Sequence, residues 1–294
     1  MECKIRYTSQ FLNYKKILFP VKEQKVIFEK TNENGKTVYF VDNGIIKFKS
    51  CPEFAPTIYS MEYNKKEWLD TPFPKTTSKS WWTPWVGGIN GGFDDLSEKD
   101  ILEEETTCDF VSVNDNFKNN WQGLKITVNI NKNEKLKGIS FEQYYLTLPN
   151  SSVIVNFTNI INNSGKFFDS HFYKLPFFKT PDEIKNTYWE YFNNNNDLCR
   201  FYLGYEGTDI RVDYDKIHSL NSENFEDKIL FFHSKRHYQL QICGNPDTIV
   251  KYMEEWVKIP NNEKHIIGNE FIIFTDKRAE YKELLDLKNI KFVI

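Results

Sequence analysis

Histidine is scarce in this chain, with five in 294 residues, so each one within reach of a carboxylate is a candidate for proton transfer near neutral pH. His171 lies in "FFDSHFYKLPFF", two residues after Asp169. On a strand that spacing puts both side chains on one face, where the carboxylate orients the imidazole and equips it as a general acid. A histidine kept only for its hydrogen bonds fits the same pattern. Glu142 and Tyr144 share a face of "ISFEQYYLTL", opposite Ile139, Phe141 and Gln143. Such a pair offers a base and a phenol to a ligand's hydroxyls; a solvated sheet face has the same alternation.

The aromatic candidates cluster in "KSWWTPWVGGINGGFDD". Trp81, Trp82 and Trp85 supply flat apolar faces on which a ligand can stack, and Gly87 and Gly88 permit close approach of backbone to ligand. Asn90 and Asp94 are the polar groups to accompany them. The alternative is a loop tucked onto a sheet, with the indoles as core and the glycines as tight corners. Neighbours on a strand point to opposite faces, so at least one of Trp81 and Trp82 is expected to be buried.

Arg236, in "HSKRHYQLQ", with Arg200 and Arg211 upstream, offers a clamp for the carboxylate or phosphate of an acidic ligand. A solvated turn explains the same residues. His233 and His237 are four apart, which brings them together on a helix but not across a hairpin turn. The acidic run from Glu103 to Thr106 lacks the ligand spacing of a calcium loop. No metal is expected, and with no G-x-G-x-x-G, P-loop, G-x-S-x-G or H-E-x-x-H pattern, no cofactor either.

Strands must position these groups, because period-2 alternation recurs throughout. Leu124, Ile126, Val128 and Ile130 alternate with Lys125, Thr127, Asn129 and Asn131. "SVIVNFTNIINNSG" repeats the pattern and ends in turn residues. "KVIFEKT", "KTVYFVD", "GIIKFKS", "TIYSMEY", "ISFEQYYLTL", "HFYKLPFF", "RFYLGY", "DIRVDY", "KILFFHS", "YQLQICG" and "NEFIIFTD" are further strands, punctuated by "NENGKT" and "DNG" turns. "PDTIVKYMEEWVKI" places Ile249, Val250, Met253, Trp256 and Val257 on one helical face, and "DKRAEYKELLDLKN" is a second short helix. With no repeat, linker or shift of composition, residues 1–294 are expected to form one all-β domain, residues 1–40 being N-terminal strands or an extension.

Composition narrows the classes. A net charge of −3 and a pI near 6.0 argue against a nucleic-acid partner. The 16% aromatic content leans towards sheet. Five scattered cysteines without CxxC spacing fit free thiols in a reducing compartment. No apolar run is long enough for a membrane helix, so a cytoplasmic location and no membrane partner are expected.

Three segments carry a resemblance. "NGIIKFKSCPEFAPTIYSMEYNKKEWLDTPFP", "SVIVNFTNIINNSGKFF" and "WVKIPNNEKHIIGNEFIIFTD", in that order, resemble the galactose mutarotase-like β-supersandwich of the aldose 1-epimerases. Ile58, Ser60, Met61, Tyr63, Glu67, Trp68 and Leu69 stand where that superfamily has I-x-S-L-x-Y-x-G-x-E-W/Y-L. The resemblance implies a large antiparallel sandwich with one to three short helices and a concave sheet that holds a sugar. In the family's enzymes a late glutamate takes the anomeric proton and a histidine protonates the ring oxygen; His171, in "DSHFYKLPFF", is the nearest match to the family's second histidine, which lies in an H-P-Y-F-like strand. The remaining positions depart from the pattern. "WVGGINGGF" lacks the family's arginine, N-H-x-Y-F is absent, and "YQLQICGNPDT" has Gln239 and Gln241 but no carboxylate before Asp247.

The expectation is therefore a protein that binds a carbohydrate in a tryptophan-rimmed cleft and is not an ordinary aldose 1-epimerase. Two alternatives stand beside it. One is a sugar-active enzyme of epimerase, isomerase or lyase type with His171 as acid and Glu142 or Asp94 as base. The other is a non-catalytic module that docks a protein partner.

Overall fold

Alternating patterns of this kind bury one face of each strand, and two such faces must meet. They do so here in a computed structural model that describes residues 25–79, 82–193, 195, 197–203, 208–211, 217–234, 239–245, 248–276 and 290–292. Among these residues two large sheets form, and every strand pairing in them is antiparallel.

The ten-stranded sheet runs from one edge through Ile27–Glu33, Lys36–Asp42, Ile46–Cys51, Ala55–Tyr63 and Ile89–Phe93. It continues through Phe168–Phe178, Thr248–Ile259, Gln239–Asn245 and Thr208–Arg211, with Lys66–Glu67 paired to Ala55–Tyr63. The nine-stranded sheet runs through Leu198–Tyr202, Thr187–Phe192, His218–Ser222, Asp227–His233 and Glu263–Asp276, then Val153–Asn162, Ile139–Thr147, Asn120–Asn129 and Glu105–Asn114. A small hairpin, Thr77–Lys79 with Trp82–Trp85, lies apart from both.

Phe48, Ile58 and Trp68 from the first sheet meet Tyr145, Trp189, Phe231 and Ile272 from the second. The facing sides are not wholly apolar. Lys174 donates to Asn156 Oδ1 at 2.6 Å, and Lys251 pairs with Glu270, both fully buried. Each contact joins the two layers, because 174 and 251 belong to one sheet and 156 and 270 to the other.

The opening motif proves to be architecture. Glu67 accepts hydrogen bonds from Ser60 Oγ and from the backbone N–H groups of Met61, Trp68 and Leu69, at 2.6–3.0 Å. Its carboxylate is a clamp that turns the chain and drives Trp68 into the core.

One expected helix is a strand. Thr248–Ile259 pairs with Phe168–Phe178 on one side and Gln239–Asn245 on the other. Its apolar positions match a helical face, but Ile249, Lys251, Met253, Val257 and Ile259 also follow period 2 towards the second sheet. Two flanking strands satisfy its backbone, and this tertiary pairing overrides the local pattern. The segment "DKRAEYKELLDLKN" lies almost wholly outside the described residues. The helices that are described are short: Glu98–Ile101, with Ser97 as N-cap, and a 3₁₀ turn at Ile184–Asn186. No helix among the described residues is long and apolar enough to cross a membrane.

Candidate functional site

The strand Phe168–Phe178 sits mid-sheet and sends Phe172, Lys174 and Phe178 inwards. Alternation then puts Asp169, His171, Tyr173, Leu175 and Phe177 on the outer face of the ten-stranded sheet. The neighbouring strands add to that face. Trp256 lies directly opposite His171, and Glu254 opposite Tyr173. On the other side the chain leaves Ile89–Phe93 at Asp94, whose N–H is directed at the His171 carbonyl at 3.4 Å.

Three adjacent strands thus converge on one imidazole. His171 Nδ1 is 2.7 Å from Glu254 Oε1 and 3.2 Å from Asp94 Oδ2. The Trp256 indole meets the imidazole edge-on, with ring centroids 5.2 Å apart. Asp169, expected to orient His171, instead accepts from Trp256 Nε1 and lies 3.7 Å from Lys258 Nζ. It holds the tryptophan, and the carboxylates on the imidazole nitrogen are Asp94 and Glu254.

Beside this triplet lies a cleft of about 470 Å³ lined by Asp94, Glu98, Lys99, Tyr173, Leu175 and Tyr252, among others. The Ser97-capped turn of helix builds one wall, anchored by buried Leu96 and Ile101. Burial pushes the Glu98 carboxyl up to about 7. Burial likewise raises the Tyr173 and Tyr252 phenols, and nearby acidic groups add to the effect, so both are neutral donors at physiological pH.

The tryptophan hairpin packs on the same outer face, but as core. Trp82 and Trp85 are only 8% and 5% exposed and both meet Phe177 edge-on, at 5.0 and 5.7 Å. Gly87 and Gly88 have φ of +61° and +68°, and a Cβ on either would come within 2.2–2.3 Å of the Asp70 or Ile58 carbonyl oxygen. The glycines serve close approach of backbone to backbone, not to a ligand. Asn90 is buried and donates to the Gly87 carbonyl at 3.2 Å. Trp81 and Arg236 lie outside the described residues. Arg200 pairs with Glu190 at 2.9 Å on the nine-stranded sheet, whereas Arg211 belongs to the ten-stranded one.

Glu142 and Tyr144 do share a face, with the phenol donating to the carboxylate at 3.0 Å. That face is the outer side of the nine-stranded sheet, since Gln143 and Tyr145 point at the other layer, where Tyr145 donates to the Ile89 carbonyl at 3.1 Å. His171 and Glu142 therefore stand on opposite outer surfaces, separated by two sheets about 10 Å apart. They cannot serve one substrate as acid and base.

The missed residues are Glu254, Trp256, Tyr252 and Glu98. The first three alternate in "YMEEWVK" and were legible as one strand face; the helical reading scattered them. Glu98 carried no signal, because its raised pKa comes from burial alone.

The fold is shared with solved structures of galactose mutarotase-like proteins. A putative aldose 1-epimerase from Klebsiella pneumoniae aligns over 92% of this chain and 87% of its own, at TM-score 0.61 and 8% identity. A galactose mutarotase-like protein from Clostridium acetobutylicum aligns over 87% of this chain and all of its own, at 0.58 and 11%. A galactose mutarotase-related enzyme from Lactobacillus acidophilus aligns over 83% and 99%, at 0.56 and 13%. No protein-family model matches the sequence, and no curated protein does. The likeness is one of fold.

Proposed function

We propose that this protein binds a carbohydrate in the cleft on the outer face of the ten-stranded sheet. The observation that carries the reading is the pairing of aromatic surface with hydrogen-bonding groups there. Tyr173 and Tyr252 line the cleft with Asp94 and Glu98, and Trp256 stands 49% exposed beside His171. Aromatic rings take the apolar face of a pyranose while carboxylates and phenols take its hydroxyls. The shared fold agrees with this class of ligand but does not by itself assign it. The platform is Trp256, in place of the buried hairpin tryptophans.

The test is intrinsic fluorescence during titration with neutral and acidic mono- and oligosaccharides. A saturable change for one sugar, lost in Trp256→Ala without a change in melting temperature, is the expected result. A flat response across the panel sinks the proposal and turns attention to protein partners.

A second reading is a sugar-active enzyme with His171 as acid and Asp94 as base, and Glu98 adds a second acid beside them. A carboxyl with a pKa near 7 and the Asp94 carboxylate line one cleft, so a proton donor and an acceptor are both present. NMR exchange between anomers of the bound sugar tests it. Exchange that slows at least about 100-fold in His171→Gln or Glu98→Gln supports catalysis; binding without exchange leaves a lectin-like module.

A further inference from the structure

We propose that Asp94, His171 and Glu254 form a site for a divalent first-row transition cation such as Zn²⁺, Mn²⁺ or Co²⁺. This goes beyond the carbohydrate reading and does not depend on it. Among the described residues this is the one place where three such donors converge, all within 4.8 Å of one another.

The chemistry of the three groups asks for a cation. Two carboxylates meet on a single ring nitrogen, at 2.7 and 3.2 Å. That nitrogen carries at most one proton, so it serves two anionic acceptors with one hydrogen. A divalent cation in place of the proton reverses the imbalance, and the nitrogen lone pair becomes a ligand.

Geometry agrees. Metal–ligand bonds of about 2.0–2.2 Å place neighbouring ligand atoms roughly 2.8–3.6 Å apart, and the imidazole nitrogen already stands 2.7 and 3.2 Å from the two carboxylate oxygens. One nitrogen and two carboxylate oxygens suit zinc, manganese or cobalt better than calcium or magnesium, which prefer all-oxygen shells. The ligands come from three hydrogen-bonded neighbours in one sheet, so the backbone holds their spacing rigidly. Three protein ligands leave at least one coordination position free, as in metal sites that receive an exogenous ligand. Asp94 also lines the cleft, so the triplet borders a space of about 470 Å³.

The test uses the full chain, stripped with chelator and dialysed, with Co²⁺, Mn²⁺ and Zn²⁺ alone and no sugar. Equilibrium dialysis with elemental analysis is expected to give one equivalent per chain. Co²⁺ is expected to add visible d–d absorption and to quench Trp256, whose ring lies against His171. Glu254→Gln and Asp94→Asn keep side-chain shape, and each is expected to weaken binding by more than about tenfold. Asp95→Asn, one residue along and paired with Lys135, is the control and binds as wild type. Circular dichroism of each variant confirms folding, and the two conservative variants keep the test open if His171→Ala does not fold. No stoichiometric uptake at millimolar metal overturns the proposal. So does uptake that Glu254→Gln and Asp94→Asn leave unchanged, because the metal then sits elsewhere. Metal uptake without any sugar response would fail the carbohydrate reading alone.

Discussion

Each outer surface of the sandwich carries an acidic–aromatic cluster, and the two are built to opposite ends. On the nine-stranded side, Glu142 is saturated by its own sheet: Lys125 at 3.3 Å, Tyr144 at 3.0 Å and Asn159 at 2.9 Å. Burial works to raise that carboxyl, but these hydrogen bonds and the lysine charge outweigh it and hold it below the usual range. Alongside, Trp121, Tyr144, Phe157 and Phe271 form an apolar cluster closed by Ile290 and Phe292, the latter stacked on Phe157 with centroids 5.0 Å apart. On the ten-stranded side, Asp94 and Glu254 compete for one nitrogen and Trp256 is half exposed. A carboxylate held by three fixed donors has little basicity left, whereas one sharing a donor is open to an incoming ligand. The same residue types make structure on one face and a candidate site on the other.

Truncating one tryptophan on each face separates the two surfaces most strongly. Trp121 is 1% exposed, donates to Asp115 at 2.9 Å and packs edge-on against Phe292. Trp121→Ala is expected to cost about 3–5 kcal/mol in urea denaturation. A loss under 1 kcal/mol would mean the C-terminal cover is not part of the folded core.

Between the faces, Lys174 tests the polar layer. Burial lowers its pKa to about 8, only partly opposed by the charges of Glu270 and Glu255. The folded value lies below the unfolded one of about 10.5, so the unfolded chain holds more protons in that window and stability rises with pH across it. The stability advantage of Lys174→Met over wild type should therefore fall between pH 7 and 10, by on the order of 3 kcal/mol. The change with pH isolates titration, because the lost Asn156 bond is the same at every pH. A pH-independent difference would show that the lysine titrates normally.

Glu142→Gln should cost about 1–2 kcal/mol at pH 7. The folded pKa is depressed, so its contribution is present above the unfolded value and fades as pH falls through the folded one. The variant should bind sugar and metal as wild type does; a loss of either would move the site to the nine-stranded face. The smallest stability effect is expected for Trp256→Ala, within about 0.5 kcal/mol, although it removes the proposed sugar platform. A cost of several kcal/mol would make Trp256 structural, like Trp121.

Much of this contrast was legible only in part. The alternation in "ISFEQYYLTL" put Glu142 and Tyr144 on one face and the inward residues on the other, and the structure keeps that division. Nothing in that alternation says which outer surface a face belongs to, so His171 and Glu142 looked equally available to one substrate. "PDTIVKYMEEWVKI" satisfies a helical and a strand period at once, and the choice hid Glu254 and Trp256. The tryptophans of "SWWTPWVGG" left core and platform open; burial against Phe177 decided for core at Trp82 and Trp85.

The amino-acid sequence by itself determined the class: alternation, aromatic content and hairpin turns dictate antiparallel sheets, because each strand's periodicity is a local property of the chain. Tertiary structure alone decided the site. Asp94, His171 and Glu254 are 77 and 83 residues apart along the chain, and only the order of three strands within one sheet brings their charges onto a single imidazole.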